Sequence, residues 1–344
     1  MKVSVIGGGP IGLAYCALLL QAGHEVKLWS QTHPSEEEHR FTGALEQTHH
    51  IPHAPSMDAA VAFGDVILLA RCAAGVQTAI DTMVPALRAE QVVIFSAELS
   101  FASLYLARAM RATGRQARSV SWSTTVATAQ RRDGAIRIGT IRDLVDIGAT
   151  GFVDPSDALA LCSTLFGARF RLLAHPIMIG LSNLNPPIHL ANSLANLTRI
   201  ERAEDWENYQ CITPAVGRLI EQLDVERCAL AEAFGFKVRN VFEHYLTTFP
   251  NIRAGSVSEM AQQVHARAPG TKGPITLTTR YITEDVPFGL VPLCVLGRSH
   301  GIAMPLHEAG IALVSAFLGV ELQAQNTMIT PVMNEIEQLL GVPA

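Results

Sequence analysis

The sequence predicts an N-terminal α/β domain with a doubly wound parallel sheet, followed by an all-helical C-terminal domain. Over the first half of the chain, short runs rich in β-branched residues alternate with amphipathic stretches, as parallel strands alternate with crossover helices. After about residue 180 the strand-like runs stop, and apolar residues recur at helical spacing. We therefore predict two domains, residues 1–178 and residues 179–344.

Composition narrows the class of protein. The chain has 344 residues, of which 49% are hydrophobic and 17% charged, so two packed domains are expected. A net charge of -5 without a basic stripe argues against nucleic acid as a partner. Neither a signal peptide nor a membrane-length apolar run is evident. The six cysteines form no C-x-x-C pair, which favours reduced thiols in the cytoplasm. The apolar excess favours a large helical core or a homodimer interface.

The first element is a strand, "KVSVIG", followed by the glycine turn "GGGPIG" and a helical stretch that stops at Gly23. Strand, G-x-G-x-x-G, helix and a second strand, "EVKLWS", together form the dinucleotide-binding pattern of a Rossmann domain. Gly7 permits the tight turn, Gly9 lets the backbone approach a pyrophosphate, and Gly12 lets the helix pack closely. The helix start at Pro10 and Ile11 then offers backbone N–H groups to the phosphates.

The end of the second strand bears on the choice of cofactor. NAD enzymes usually place an acidic residue there to bond the ribose 2′-hydroxyl. This chain instead has Ser30, Gln31 and Thr32, which can donate hydrogen bonds to a 2′-phosphate, while His33 or Arg40 can add charge. The sequence therefore favours NADP, and the alternative is NAD bound through Gln31 alone.

The next α/β units continue the sheet. A small helix capped by Ser56 leads into a strand over residues 65–70, and "AGVQTAIDTMVPALR" and "QVVIFSAE" give a further helix and strand. Ala70, Arg71 and Cys72 follow the earlier strand at the carboxyl edge of the sheet, where cofactors bind. "SVSWSTTVATAQ", "AIRIGT" and "FRLLAH" predict the last strands.

The cluster His49, His50 and His53 is a candidate metal site. It lies in a Pro-bearing stretch without a matching set of cysteines or carboxylates. We interpret it as a solvated loop and predict no metal.

The second half reads as helices. "TPAVGRLIEQLDVERCALAEAFGF" has an apolar face, with Thr213 as N-cap, Pro214 at the first position and Gly235 as the stop. "VPLCVLGRSHGIAMPLHEAGIALVSAFLG" predicts two more helices broken around residues 301–305. The stretch "SNLNPPIHLANSLANL" places His189 near the start of the first helix after the nucleotide domain.

Three segments in this order resemble the octopine/nopaline-type opine dehydrogenases: "NLNPPIHLANSLANLTRIE", "ITPAVGRLIEQLDVERCALAEAFG" and "RYITEDVPFGLVPLCVLGRSHGI". The resemblance covers nearly the whole chain. It implies an enzyme that condenses an amino acid with a 2-keto acid and reduces the imine with NAD(P)H. It also implies that His189 is the catalytic histidine, Asp285 its acidic partner and Arg280 the group that binds the keto acid carboxylate. The sequence departs from many members at Leu190, where proline is expected.

The residue chemistry agrees with these roles. Histidine gives and takes a proton near neutral pH, and an aspartate on its other ring nitrogen fixes the tautomer. Arginine grips a carboxylate with two parallel hydrogen bonds. Asn183 and Asn185 are candidates for binding the substrate, and the alternative is that they cap the loop backbone.

Two other functions fit the same two-domain plan. One is a 2-hydroxy or 3-hydroxy acid dehydrogenase, although no lysine lies between Ala174 and Arg199, where ketopantoate-reductase-like enzymes bring one. The other is a non-catalytic NADP-sensing regulator, which would be expected to lack a catalytic group. His189, Asp285 and Arg280 are all present.

Overall fold

A computed structural model of the protein describes residues 1–31, 38–249 and 251–340. The chain forms two compact units. The first is Met1–Gly180 together with the C-terminal segment that begins at Asn334, and the second is Leu181–Met333. The sequence prediction placed everything after residue 178 in one helical domain. The structure instead groups the end of the last helix with the first unit, where Glu335 pairs with Arg111 at 3.5 Å.

All the described strands belong to the first unit. In chain order they are β1 (Lys2–Ile6), β2 (Glu25–Trp29), β3 (Glu38–Gly43), β4 (Gln47–His50), β5 (Val66–Leu69), β6 (Val92–Phe95), β7 (Arg118–Trp122), β8 (Ala127–Arg132), β9 (Ala135–Ile141), β10 (Val145–Thr150) and β11 (Phe170–Leu172).

The main sheet has the strand order β11-β10-β7-β6-β5-β1-β2. Its central strands β1, β5 and β6 are parallel and almost entirely buried, which explains their unbroken apolar sequences. Strand β10 runs antiparallel to β7, so the sheet is mixed at that side rather than wholly parallel. The crossover order 6-5-1-2 brings the carboxyl ends of β1, β2 and β5 together at one edge.

Among the described residues, five α-helices lie wholly within the first unit: α1 (Pro10–Gln21), α2 (Met57–Phe63), α3 (Val76–Met83), α4 (Ala102–Arg111) and α5 (Ser156–Phe166). The predicted cap of α2 is present, because the Ser56 hydroxyl accepts the Ala59 N–H at 3.1 Å. The core includes a cluster of edge-to-face aromatic rings from Tyr15, Trp122 and Phe166. This packing fixes α1 and α5 against the sheet.

A second sheet of order β4-β3-β9-β8 was not predicted. The prediction of a solvated loop for His49 and His50 is wrong, because both lie on β4, paired antiparallel with β3. His53 follows and forms a bridge with Leu28. Strands β3 and β4 consist mostly of polar residues, so the sequence shows no alternation of apolar and polar residues that would predict them. Among the described residues, no group of histidine, cysteine or carboxylate side chains has the arrangement of a metal site.

The second unit is helical. Its helices, counting two that cross its ends, are α6 (Met178–Ser182), α7 (Asn185–Ala195), α8 (Leu197–Glu201), α9 (Pro214–Ala233), α10 (Val241–Thr248), α11 (Val257–Arg267), α12 (Arg280–Thr283), α13 (Val291–Ser299), α14 (Pro305–Leu318) and α15 (Ile329–Leu340). A π-helical segment, Asp285–Leu290, joins α12 to α13. Among the described residues, no helix combines the length and apolar character needed to cross a membrane.

The predicted start and stop residues of the long helix α9 lie at its observed ends. Helix α9 begins at Pro214 after Thr213, and Gly235 follows its end with a positive φ of 74°. The Thr213 hydroxyl, however, makes no capping bond. Within α9 the fully buried Arg227 bonds Asp224 at 2.6 Å and also donates to two backbone carbonyls. Because its partners satisfy the charge, this arginine can lie in the core.

Candidate active site

The glycine turn of the first unit has the shape that its motif requires. Gly7 has a φ of +130°, and a Cβ there would lie 2.2 Å from the Ala70 carbonyl oxygen. A Cβ on Gly12 would lie 1.9 Å from the Gly7 carbonyl oxygen. A Cβ on Gly9 would meet nothing within 4 Å. Close packing therefore requires glycine at Gly7 and Gly12, whereas Gly9 faces open space through which a ligand can approach the backbone.

Helix α1 presents its N-terminus at this turn. Gly9 is the N-cap and Pro10 the first helical residue, and no side chain of the described residues caps the helix. The first backbone bond of the helix runs from Leu13 N–H to the Gly9 carbonyl at 3.0 Å, so the N–H groups of Ile11 and Gly12 precede the intrahelical ladder. A dinucleotide pyrophosphate fits this helix start, because the two N–H groups make no bond within the helix, the helix dipole favours negative charge, and the space at Gly9 is open.

The end of β2 lies beside the turn, since the Gly7 N–H donates to the Trp29 carbonyl at 2.9 Å. Ser30 is buried and Gln31 is exposed. Thr32 lies outside the described residues. The predicted 2′-phosphate ligands therefore differ in access, and Gln31 is the more available of the two that are described.

The end of β5 brings a cation to the same place. The Ala70 N–H bonds the Ile6 carbonyl at 2.9 Å, which holds the segment beside the glycine turn. The next residue, Arg71, places its guanidinium carbon 5.9 Å from the centre of the Trp29 ring. Cys72 is exposed. The sequence predicts only that Arg71 lies at the carboxyl edge of the sheet. The structure places it specifically at the end of β2.

Sequence reasoning missed the loop after β6. Ala97, Ser100 and Phe101 all have positive φ, between 53° and 58°, which is costly for residues with a Cβ. The buried Glu98 accepts the Ser103 N–H at 2.5 Å and so caps α4. Burial raises the pKa of Glu98, against hydrogen bonds from Ser103 and Ser121 that lower it. The signal in the sequence is an acidic residue three positions after the end of a buried strand.

The helical unit brings together the histidine and the aspartate identified in the sequence. His189 lies one turn into α7, whose start is set by two prolines in the first turn. Asp285 is the first residue of the π-helical segment. His189 Nδ1 lies 2.6 Å from Asp285 Oδ2, and their side chains are 12% and 5% exposed. With Nδ1–H donated to the carboxylate, Nε2 is left to exchange protons.

Tyr281 completes this group and was not singled out in the sequence. Its ring stacks on the His189 imidazole, with the ring centroids 3.6 Å apart and the planes 5° from parallel. Burial raises the pKa of Tyr281, against the charge of Arg280, which lowers it. Tyr281 lies four residues before Asp285, a spacing that places two side chains on one helical face.

Arg280 and the two asparagines differ in their availability. Arg280 is exposed at the start of α12, and within the described part of the chain its guanidinium has no hydrogen-bond or ion-pair partner. The Asn183 side chain accepts the Asn185 N–H at 3.0 Å, which is the loop-capping alternative noted from the sequence. Arg280 is thus available to a ligand, whereas the Asn183 oxygen is already engaged in starting α7.

The polar face of α7 continues beyond His189. The Asn192 amide donates to the Asn208 side-chain oxygen at 2.6 Å, and the Asn196 amide donates to that of Asn192 at 3.0 Å. All three are buried. Asn192 is three residues after His189, so this network holds the helix surface that carries the histidine.

Comparison with known proteins matches both halves of the chain. Residues 172–318 match the family described as NAD/NADP octopine/nopaline dehydrogenase, alpha-helical domain. Residues 3–148 match the family described as ketopantoate reductase PanE/ApbA. An opine dehydrogenase from Arthrobacter sp. (strain 1C) is 27% identical over 334 residues, covering 94% of this chain and 92% of that protein.

Solved structures share the fold over its full length. Octopine dehydrogenase with NADH and L-arginine has a TM-score of 0.82 at 16% identity, covering 100% of this chain and 99% of the other. Octopine dehydrogenase with NADH and pyruvate has a TM-score of 0.73 at 16% identity, covering 96% and 93%. Yersinopine dehydrogenase with NADP+ bound has a TM-score of 0.70 at 13% identity, covering 97% and 99%. The predicted fold class, a Rossmann domain followed by a helical domain, is confirmed.

Proposed function

We propose that this chain is an NAD(P)-dependent opine dehydrogenase of the octopine/nopaline type, which condenses an amino acid with a 2-keto acid and reduces the imine. The observation that carries the proposal is the His189–Asp285 pair at 2.6 Å. Relatives of the same fold bind L-arginine, pyruvate and NADH, which supports the same classes of substrate here.

His189 moves the proton that the condensation requires. Its Nε2 takes a proton from the substrate ammonium, which leaves an amine able to attack the keto carbon. After the attack, one proton of the amine passes to the keto oxygen to form a hydroxyl. The same Nε2 then returns its proton to that hydroxyl, which departs as water and leaves the iminium. Asp285 holds the Nδ1–H tautomer and stabilises the imidazolium between these steps. Over the two transfers the histidine ends in the state in which it began.

Arg280 binds and orients the keto acid in this proposal. Its exposed guanidinium, without a partner among the described residues, can form two parallel bonds to a carboxylate. That clamp fixes the orientation of the keto carbon next to the carboxylate. Asn185 is a secondary candidate for the substrate, since the side chain of Asn183 is engaged. When bound, the nicotinamide supplies the hydride that reduces the iminium carbon.

We propose that the cofactor is NADP rather than NAD, on the evidence of Arg71. The end of β2 has no acidic residue, and the Arg71 guanidinium lies beside Trp29 at that end. A cation at this position suits a ribose 2′-phosphate, which Rossmann enzymes bind with arginine. The exposed Gln31 adds a neutral donor.

Cofactor affinities test this choice. Titration of NADPH and NADH by nucleotide fluorescence should give a lower Kd for NADPH. Substitution Arg71→Ala should weaken NADPH about 10–100-fold, the value of one charge-assisted contact, and leave NADH nearly unchanged. The Arg71→Lys variant retains the charge and should lie between. Tighter NADH binding by the wild type, or equal losses for both nucleotides, would refute the assignment.

Substrate dependence tests the reaction. Oxidation of NADPH or NADH is followed with pyruvate or 2-oxoglutarate, with and without a pool of amino acids. Oxidation that needs both substrates supports the condensation. Oxidation with the keto acid alone would indicate a hydroxy acid dehydrogenase, and tight cofactor binding without turnover would indicate a sensor.

A matched pair of variants tests the histidine. His189→Ala should abolish turnover while leaving the Kd for NADPH unchanged. His265→Ala is the control, since His265 contacts Glu207 through the same ring nitrogen at 3.1 Å in the same unit. Wild-type turnover by His189→Ala would exclude the mechanism.

We also propose a cytoplasmic homodimer. The support for two copies is a set of exposed apolar side chains on α14, on which Leu313 and Phe317 are 51% and 53% exposed and Leu306, two turns before Leu313, is 37% exposed. The support for the cytoplasm is that all six cysteines are free. Light scattering of Phe317→Asp should give monomers where the wild type gives dimers, and dimers in both would refute this interface.

A further inference from the structure

The stack between His189 and Tyr281 differs in geometry from the edge-to-face ring pairs found elsewhere among the described residues. Its centroids are 3.6 Å apart and its planes are 5° from parallel. Pairs such as Tyr15–Trp122 and Tyr209–Phe249 have centroids at 5.9 and 5.7 Å and are edge-to-face. Two neutral aromatic rings prefer an offset or edge-to-face arrangement at about 4.5–7 Å, because their quadrupoles repel face to face. A cation over a tyrosine face is attracted instead.

Local sequence explains how Tyr281 reaches this position. Helix α12 begins after Thr279, whose hydroxyl accepts the Tyr281 N–H at 3.4 Å. Asp285 follows four residues after Tyr281, so both side chains leave the same helical face. One segment therefore contacts the imidazole twice: the tyrosine covers a ring face and the aspartate bonds Nδ1.

We propose that Tyr281 is a positioning residue that holds the plane of the His189 ring and stabilises its protonated form through the π face. This inference rests on the proposed function, in which His189 is protonated between two transfers. The hydrogen bond from Nδ1 to Asp285 does not by itself fix the tilt of the imidazole plane. The parallel stack with Tyr281 fixes that tilt. Nε2 is then fixed in direction as well as in tautomer.

The aromatic face of Tyr281, and not its hydroxyl, acts on His189 in this proposal. Within the described residues, the Tyr281 hydroxyl makes no hydrogen bond. Burial raises the pKa of Tyr281, so the phenol stays neutral through the working range of a histidine. A neutral phenol offers His189 its π electrons and no charge.

Two substitutions separate the face from simple packing. Tyr281→Phe keeps the ring and removes the hydroxyl, and kcat should stay within about twofold of the wild type. Tyr281→Leu keeps an apolar side chain without a π face. Its kcat should fall about tenfold, equivalent to about 1.4 kcal/mol, a value within the usual range for a cation over an aromatic face. The KM for pyruvate, with a saturating amino acid pool, and the Kd for NADPH should not change in either variant.

A spectroscopic readout tests the stack without turnover. A ring at this distance shifts the imidazole C–H resonances of His189 upfield, and His189→Ala identifies those resonances in the proton spectrum. The shift should persist in Tyr281→Phe and disappear in Tyr281→Leu. Because Tyr281→Phe is nearly isosteric, it serves as the folded reference if Tyr281→Leu is unstable.

The outcomes distinguish this inference from the proposed function. Full kcat in Tyr281→Leu, together with inactive His189→Ala, would overturn the role of Tyr281 and leave the mechanism intact. An equal loss in Tyr281→Phe and Tyr281→Leu would assign the effect to the hydroxyl and overturn the π-face role. An active His189→Ala would overturn the proposed function itself. Loss in Tyr281→Leu with rescue in Tyr281→Phe supports the inference.

Discussion

Replacing Asp285 with asparagine tests the proposed proton transfer most directly. The carboxylate lies 2.6 Å from His189 Nδ1 and is 5% exposed. Asparagine has the same shape and keeps an oxygen that can accept the Nδ1–H. The substitution therefore removes the negative charge with little change in packing, and a loss of activity reports on the charge.

The expected loss follows from the geometry. When Nε2 holds a proton, the imidazolium and carboxylate charges lie about 4 Å apart, which is worth about 4 kcal/mol at an effective dielectric constant of about 20. A neutral hydrogen bond to asparagine retains about 1 kcal/mol. The remaining ~3 kcal/mol corresponds to a decrease in kcat of about 100-fold. If the asparagine amide instead donates to Nδ1, the wrong tautomer is fixed and the loss approaches about 10⁴-fold.

Steady-state NADPH oxidation with a keto acid and an amino acid pool measures kcat. The Kd for NADPH should stay at the wild-type value, because Asp285 belongs to the helical unit and the glycine turn to the other. Glu284→Gln is the control, since it removes the neighbouring carboxylate, and it should retain kcat. A kcat for Asp285→Asn within about threefold of the wild type would refute the reasoning.

Three further predictions concern binding and stability. Arg280→Lys should raise the KM for the keto acid, because a point charge replaces a fork, and steady-state kinetics with an unchanged KM would exclude the clamp. Glu226→Gln should cost about 2–3 kcal/mol of unfolding free energy, because Glu226 accepts the Leu306 N–H and the His307 N–H and contacts His307 Nδ1 at 2.7 Å. Burial raises the pKa of Glu226, but the three contacts outweigh it and lower the pKa overall. The stability that the contacts contribute is therefore present above about pH 4.3 and is lost as the pH falls through the lowered pKa. Urea unfolding of the wild type and of Glu226→Gln across these pH values should show this loss. Burial raises the pKa of Glu98, so the contribution of this carboxyl to wild-type stability is full below about pH 4.3 and declines as the pH rises through the raised value. Thermal unfolding of Glu98→Gln should lack that decline, and parallel pH profiles for both proteins would contradict it.

The first unit was largely predictable because its information is local. Each central strand is a short buried run, and the glycine turn combines spacing with the strand and helix that flank it. The second sheet was not predictable for a physical reason. Strand β3 pairs with β9, almost one hundred residues later, and its polar sequence "EHRFTG" has no apolar alternation to indicate a strand. Its pairing is decided by tertiary packing rather than by local preference.

The site was predictable in part. His189 and Asp285 are separated by 96 positions, and only the resemblance to a family related them before the structure did. Arg71 was assigned to the cofactor edge, but its approach to Trp29 depends on how two strand ends meet. Tyr281 lies inside the quoted segment "RYITED" and was passed over because stacking is a tertiary contact. Its spacing of four residues from Asp285 was the available signal.

A carboxylate next to a histidine is not by itself evidence of catalysis. In the described part of the helical unit, three histidines contact a carboxylate through Nδ1: His189–Asp285, His265–Glu207 and His307–Glu226. His307 is fully buried, so its Nε2 is closed to a substrate. The partner of His265 is shared with Lys272 and a backbone N–H, so its charge is already engaged. His189 alone combines a partly exposed ring, a buried carboxylate with no other partner among the described residues, and a covered face. Access, undivided charge and fixed orientation together make His189, among these three, the candidate for the proposed proton transfer.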